Sequence, residues 1–391
     1  MNKRKSIINR TALTICVTAL LLQGCGTMTN NPGNSMEPGS QITDNPAQLP
    51  ETNQKSDSSG ISPEKESDTQ AENSQADTAK EQNIVPPIDL KIVKPNETGR
   101  IMVVMFHNFV EEYKSGDKEY TTTFNEFEKL LDTLYNSEYR LIGMNDYLNG
   151  NIDIPAGCIP MVFTFDDGTA GQFNLIEEGG ILVANPRSAV GIIEEFNKTH
   201  PGFGTRGVFY INLGNQTFKG AGTLAQRLEY LKNKGFELGN HTYSHINLKK
   251  TGTAETLLKE IGGNQKKMYE LIQDYTFTTL SLPFGAPSKD LTQYVIKGEF
   301  EGIRYENLGI MEVGWDPAPS PYNVEFDALS IHRVRASGIK PVDQDLAWWL
   351  DNLKRDRQYI SDGNAAQVTV PKDSMKYLEQ ARLNGRELVD Y

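Results

Sequence analysis

The sequence predicts a parallel α/β fold, either an open sheet or a barrel, and three observations carry that reading. Short, almost wholly apolar runs recur between residues 99 and 340, as strands buried on both faces require. Segments with helical spacing alternate with them. Polar residues suited to chemistry follow directly on several runs, at the C-terminal strand ends where α/β barrels place their sites.

The first run is 101–107 (IMVVMFH), a strand. Thr123 and Glu126 have the spacing of a capping box, and Phe124, Phe127, Leu130, Leu131, Leu134 and Tyr135 then recur as one helical face. Residues 140–142 read as a short strand, and 160–165 (PMVFTF) as a buried one that runs into Asp166-Asp167-Gly168. A helix over 190–196, a strand over 207–211 and a helix over 224–234 stopped by Gly235 come next. Residues 236–238 form a short strand leading to His241, 254–274 a long amphipathic helix, and 279–282 a strand that meets Pro283-Phe284-Gly285. Strands over 311–313 and 328–331 and a helix over 342–353 complete the pattern, with no internal repeat.

The N-terminus reads as an address. Lys3, Arg4, Lys5 and Arg10 precede a largely apolar stretch, 13–22, too short to span a bilayer but right for a signal-peptide core. It ends in Leu21-Leu22-Gln23-Gly24-Cys25, which resembles a bacterial lipobox, so 1–25 is expected to be a lipoprotein signal peptide with Cys25 as the lipidated residue. Such an anchor places the protein on the extracytoplasmic face of the cell membrane. Residues 26–85 hold no Phe, Trp or Tyr and ten acids against three bases. That stretch cannot bury enough apolar surface to offset its ordering entropy, and is expected to be a disordered tether. The folded domain is then 86–391, with an insertion near 173–205 (186–200 read as one helix) and an unassigned C-terminal extension.

A net charge of −12 argues against nucleic acid as a partner, since binding it needs a basic surface to displace counterions. Of the three cysteines only Cys158 lies in the body, which excludes both an intradomain disulfide and zinc-finger spacing.

His241 and His245 stand four apart, so one helical turn or a tight loop aims both imidazoles at one point. With one carboxylate they make a His₂Asp set whose fourth position is open to water, as catalytic metal sites require. Asp166 and Asp167 cannot both point the same way at a strand end, so one can hold metal while the other faces substrate.

On these residues the chain resembles the polysaccharide deacetylases, carbohydrate esterase family four. Thr164-Phe165-Asp166-Asp167-Gly168 looks like the first family motif and His241-Thr242-Tyr243-Ser244-His245 the second. The resemblance implies a distorted (β/α) barrel, usually of seven strands, over about 99–340. It implies Asp166 as general base and Asp167, His241 and His245 as ligands of a divalent metal, zinc by default. The third motif, usually Arg-x-Pro-Phe/Tyr, is here Ser281-Leu282-Pro283-Phe284; its arginine is missing, and Arg333 or Arg335 are the candidates to replace it. Phe284 keeps a backbone N–H as oxyanion donor.

Two histidines compete as general acid. His332, in Leu329-Ser330-Ile331-His332-Arg333, partly matches the last family motif. His107, in Met105-Phe106-His107-Asn108, matches a Tyr/Phe-His motif on the first strand of the branch acting on poly-β-1,6-N-acetylglucosamine, and is favoured. The implied function is N-deacetylation of an extracellular amino-sugar polysaccharide such as poly-N-acetylglucosamine, peptidoglycan or a chitin-like polymer. The alternatives are an O-acetyl polysaccharide esterase and a non-catalytic wall-binding lipoprotein of the same fold. Trp348 and Trp349 are either a sugar platform or core, and His200 reads as solvated.

Overall fold

The computed structural model describes residues 88–117, 119–314, 316–336 and 344–391. The expected signal peptide with Cys25, and the tether over 26–85, lie outside the described residues. No helix among the described residues is long and apolar enough to cross a membrane.

Nine strands form the main sheet: β1 (Arg100–Phe106), β2 (Tyr139–Leu141), β3 (Ile159–Asp166), β4 (Val208–Ile211), β5 (Glu237–Asn240), β6 (Thr279–Ser281), β7 (Gly309–Met311), β8 (Ala318–Pro319) and β9 (Val334–Arg335). Their order is β7-β6-β5-β4-β3-β1-β8, with β2 also beside β3 and β9 also beside β1. The β1–β8 pairing is antiparallel and the others are parallel. The curved sheet comes round on itself through one short segment. Ile331 bridges Met311 of β7, while Val334 and Arg335 pair with Val104 and Met105 of β1. The result is the distorted barrel that the resemblance implies.

Period-two alternation decides what each strand residue touches. In β1, Met102, Val104 and Phe106 join the apolar layer under the helices, whereas Ile101 and Val103 join the layer inside the barrel. In β3, Met161, Phe163 and Phe165 face the helices and Val162 faces inward. The same parity sends Thr164 and Asp166 inward, and carries the inward series of β1 through Met105 to His107. Charged chemistry therefore sits at the C-terminal mouth, above a dry interior.

The outer layer is covered by α1 (Phe124–Asn136), α2 (Ala189–Thr199), α3 (Leu224–Asn233), α4 (Ala254–Leu271) and α5 (Leu346–Asn352). The capping box forms as the sequence predicts: Glu126 N donates to Thr123 Oγ1 at 3.2 Å and Thr123 N to Glu126 Oε2 at 3.0 Å.

Some expectations need correction. Residues 186–200 hold one helix, α2, trimmed to start after its Ser188 cap, and the early part of the expected insertion is a hairpin, Leu175–Glu178 with Ile181–Ala184. Residues 328–331 are not a strand, because only Ile331 finds a ladder partner. His200 is not simply solvated; its ring stacks on Phe196 at 3.9 Å and meets Tyr135 at 4.8 Å. Trp349 is buried core, with Trp348 edge-on against it. The C-terminal extension is structural: Tyr359, Val368 and Val370 pack with Ile101 and Val103 inside the barrel.

Candidate metal centre

Asp166 is the last residue of β3, and the chain then breaks sharply out of the strand. Asp167 and Gly168 take φ of +80° and +66°, and a Cβ on Gly168 would sit 2.7 Å from Thr217 Cγ2. That turn gives the two carboxylates separate surroundings. Asp167 Oδ1 lies 3.5 Å from His241 Nε2 and 3.2 Å from His245 Nε2. Asp166 instead meets Arg333 and Ser281.

The two histidines are carried by a tight loop after β5, the second of the two geometries open to them. Thr242 and His245 have φ of +64° and +57°, a region L residues adopt only where surroundings enforce it. Here Asn240 Oδ1 accepts from Thr242 N at 2.9 Å, Thr242 Oγ1 from His245 N at 3.1 Å, and Glu260 of α4 from Ser244 N and Oγ, each at 2.8 Å. The imidazole centroids end 4.9 Å apart.

His241 Nδ1 donates to Ser281 O at 2.8 Å, which leaves Nε2 as the lone-pair nitrogen. That Nε2 is buried and has no hydrogen-bond partner among the described residues. Asp167, His241 and His245 offer three ligand atoms within 4.8 Å of one another, and they are the one such cluster among the described residues. Burial works to lower the His241 imidazole, but Asp166 and Asp167 outweigh it and raise it above its ordinary value. An orphaned buried nitrogen, a His₂Asp donor set and unbalanced negative charge fit a divalent cation.

Arg333 is the group that holds Asp166. It lies in the segment that closes the barrel, fully buried, and all five of its N–H donors are used. Nη1 and Nη2 each donate to an Asp166 oxygen at 2.8 Å, Nη1 also to Thr164 Oγ1 at 3.1 Å, Nη2 to Ser281 Oγ at 2.9 Å, and Nε to Glu312 O at 2.9 Å. Ser281, which stands at the arginine position of the third motif, donates its hydroxyl to Asp166 Oδ2 at 3.0 Å. Burial works to raise the Asp166 carboxyl; Arg333, then His241, prevail and hold it well below the usual carboxylate range. Of the two candidates, Arg333 thus takes the missing place. Arg335 pairs with Glu119 instead.

The structure brings His107 to the cluster and not His332. His107 Nε2 is 3.9 Å from Asp166 Oδ2, in a cavity of about 240 Å³ that Asp167, His241, His245 and Phe284 also line. His332 is half-exposed and faces Glu312 and Asp316 at 3.8 and 4.0 Å. The reason is parity: neighbouring side chains of an extended segment point to opposite sides, and Arg333 takes the inside. Phe284 has φ of +60° and is 53% exposed, with its ring 5.1 Å from His245. Sequence reasoning missed Gln172, whose Nε2 donates to the carbonyls of both His107 and Asp166 and ties the two strand ends together. A lone Gln after a turn carries no signal for that.

Residues 154–303 match the family model described as polysaccharide deacetylase. No curated protein sequence matches the chain. Among solved structures, the chain is similar to a Streptococcus pyogenes deacetylase, PplD, in complex with acetate: 14% identity, 65% of this chain and 98% of that one covered, TM-score 0.48. It is also similar to a polysaccharide deacetylase from Bacillus cereus (17%, 65% and 69%, 0.48) and to IcaB from Ammonifex degensii (16%, 64% and 97%, 0.45). The matched segment contains Asp166 and all three clustered ligands, so the match to the polysaccharide deacetylase model and the candidate metal cluster fall on the same residues.

Proposed function

We propose that the protein is a metal-dependent hydrolase that removes N-acetyl groups from an amino-sugar polysaccharide at the cell surface. The observation that carries this is the buried, unpartnered His241 Nε2 converging with Asp167 and His245 beside an Asp166 whose position is locked. A bound divalent metal, zinc by default, would be held by those three residues and would acidify water and polarise the acetyl carbonyl.

The chain's own groups account for the proton traffic. Asp166, ionised and fixed by Arg333, accepts a proton from the attacking water. The backbone N–H of Phe284, a residue of the pocket lining, would donate to the oxyanion as the carbonyl carbon becomes tetrahedral. His107, on the Asp166 side of the pocket, gives a proton to the departing nitrogen as the C–N bond breaks. Acetate and a free sugar amine remain, and the polymer gains positive charge at each site.

Arg333 also bears on the non-catalytic alternative. The absent third-motif arginine favoured that reading, and the guanidinium now beside Asp166 supports an active site instead. The lipobox-like Leu21-Leu22-Gln23-Gly24-Cys25 and the polar stretch behind it support surface anchoring.

The test is acetate release from β-1,4 and β-1,6 N-acetylglucosamine oligomers, and from O-acetylated xylan oligomers, by metal-loaded and metal-stripped protein. Metal-dependent release from an N-acetylated oligomer, lost in Asp166→Asn, is the expected result. Release from the esters alone would overturn the amide reading, and no release from any of them the enzymatic one.

A further inference from the structure

We infer that Tyr120 is a positioning residue for His107, acting through the face of its ring. The inference rests on the reading of His107 as proton donor to the leaving amine. A catalytic histidine ordinarily has its ring fixed by a hydrogen bond from the nitrogen that does not react. His107 lacks one: its Nδ1 is buried without a partner among the described residues, and its Nε2 is 3.9 Å from Asp166, beyond hydrogen-bond reach. What touches the ring is Tyr120, with centroids 4.8 Å apart and planes tilted by 37°.

Tyr120 is itself clamped. Asn108 N donates to its carbonyl at 3.1 Å, where Asn108–Val110 pairs in parallel with Thr121–Thr123, so residues 107 and 120 are neighbours across the start of that ladder. Arg335 places its guanidinium 5.4 Å from the Tyr120 ring centroid. Arg335 is paired through β9 with Met105 and through its side chain with Glu119 at 3.3 Å. His107, Tyr120 and Arg335 thus pack in a row whose two ends are tied to β1, His107 by chain continuity and Arg335 through β9. This packing sets the His107 ring plane where no acceptor is present, and it leaves Nε2, on the Asp166 side of the pocket, free for proton transfer.

The test uses two substrates in the full-length, metal-loaded protein. An N-acetylated oligosaccharide needs its amine leaving group protonated, whereas an aryl acetate expels a stable aryl oxide and does not. Tyr120→Ala should lower kcat on the oligosaccharide by about 10-fold or more with KM little changed, and leave aryl acetate turnover and bound metal near wild type. Tyr120→Phe keeps the ring and should restore oligosaccharide turnover. In a His107→Ala background, Tyr120→Ala should cost nothing further.

Equal loss on both substrates, a Phe variant as impaired as the Ala variant, or an added loss in the His107→Ala background would each overturn the role of the Tyr120 ring. Tyr120→Leu, compared by metal content and melting temperature, serves if the Ala variant does not fold. His107→Ala that hydrolyses the oligosaccharide like wild type would instead remove the underlying proton-donor reading.

Discussion

Arg333→Gln should cost stability and activity together. Arg333 has no exposed surface and Asp166 only 2%, so neither charge has water to fall back on. Removing one partner of such a pair costs about 3–5 kcal/mol, because the charge left behind stays buried. Asp166 would keep the Ser281 hydroxyl at 3.0 Å, worth about 1 kcal/mol net, so a loss near the lower end, about 3 kcal/mol, is expected. The assay is urea unfolding of wild type, Arg333→Gln, Asp166→Asn and the double variant, in chelator so that metal binding does not enter the cycle. Each single change strands a charge and the double change strands none, so the double variant should recover at least about 2 kcal/mol of the summed losses. Additive losses, or an Arg333→Gln cost below about 1 kcal/mol, refute the claim that this pair holds Asp166. In the loaded enzyme the same variant frees the Asp166 carboxylate to turn, and displacement of about 1 Å is enough for a ~100-fold fall in kcat. Arg333→Lys keeps the charge but not the two-pronged geometry, and should fall between.

Three further outcomes follow from the site and its surroundings. His107→Ala should lower amide turnover by about 100-fold or more while His332→Ala stays within about 3-fold of wild type; the reverse order would return the acid role to His332. His241→Ala should abolish stoichiometric metal by elemental analysis, and chelation should lower the melting temperature of wild type but not of this variant, since metal binds only the folded site. Metal retained at one per chain in the variant counts against His241 as a ligand. Glu97 is buried against the C-terminal extension, and burial, then Asp362, pushes its carboxyl up to about 8 from an ordinary value of 4.5. A folded value above the unfolded one means that the folded state keeps the proton longer. Stability from this group is therefore full below about pH 4.5 and falls as pH rises through about 8, by roughly 3 kcal/mol at pH 7. Glu97→Gln should flatten that fall in melting curves taken from about pH 5 to 9; equal slopes in both proteins would reject the assignment.

What was legible in the sequence follows from which signals are local. The apolar runs of β1, β3 and β4 are continuous because both faces of an inner strand are covered, and their boundaries come within a residue or two. The Thr123 capping box is a four-residue pattern and forms as read. Short elements with no period of their own were invisible: β8 and β9 have two residues each, and the hairpin at 175–184 mixes acidic and apolar residues. At the site, the Asp166-Asp167 and His241–His245 spacings pointed to one locus because each pair is close in sequence. The choice between Arg333 and Arg335 was not legible, because both stand on the same side of a short closing segment and it depends on which of them lies level with Asp166. Gln172 and Tyr120 were missed for a similar reason; each acts on a residue far from it in sequence.

That closing segment explains how the fold supplies the arginine that the resemblance expects at Ser281. The segment matched to the family, 154–303, supplies Asp166, Asp167, His241, His245 and Phe284, yet neither His107 nor Arg333. Both come from flanking chain that meets at one place, since β1 adjoins β3 on one side and β9 on the other. Ser281 reaches Asp166 with a hydroxyl but brings no charge, and Arg333 supplies the charge from the closing segment. A guanidinium delivered from there reaches both Asp166 oxygens and the Ser281 hydroxyl at once. A charge on the closing segment keeps the carboxylate paired while the β6 side of the pocket holds a small side chain, Ser281. It also makes the proposed base depend on barrel closure: until residues 331–335 dock between β7 and β1, Asp166 lacks its guanidinium and has only the Ser281 hydroxyl, so closure and catalytic competence are expected to form in a single step.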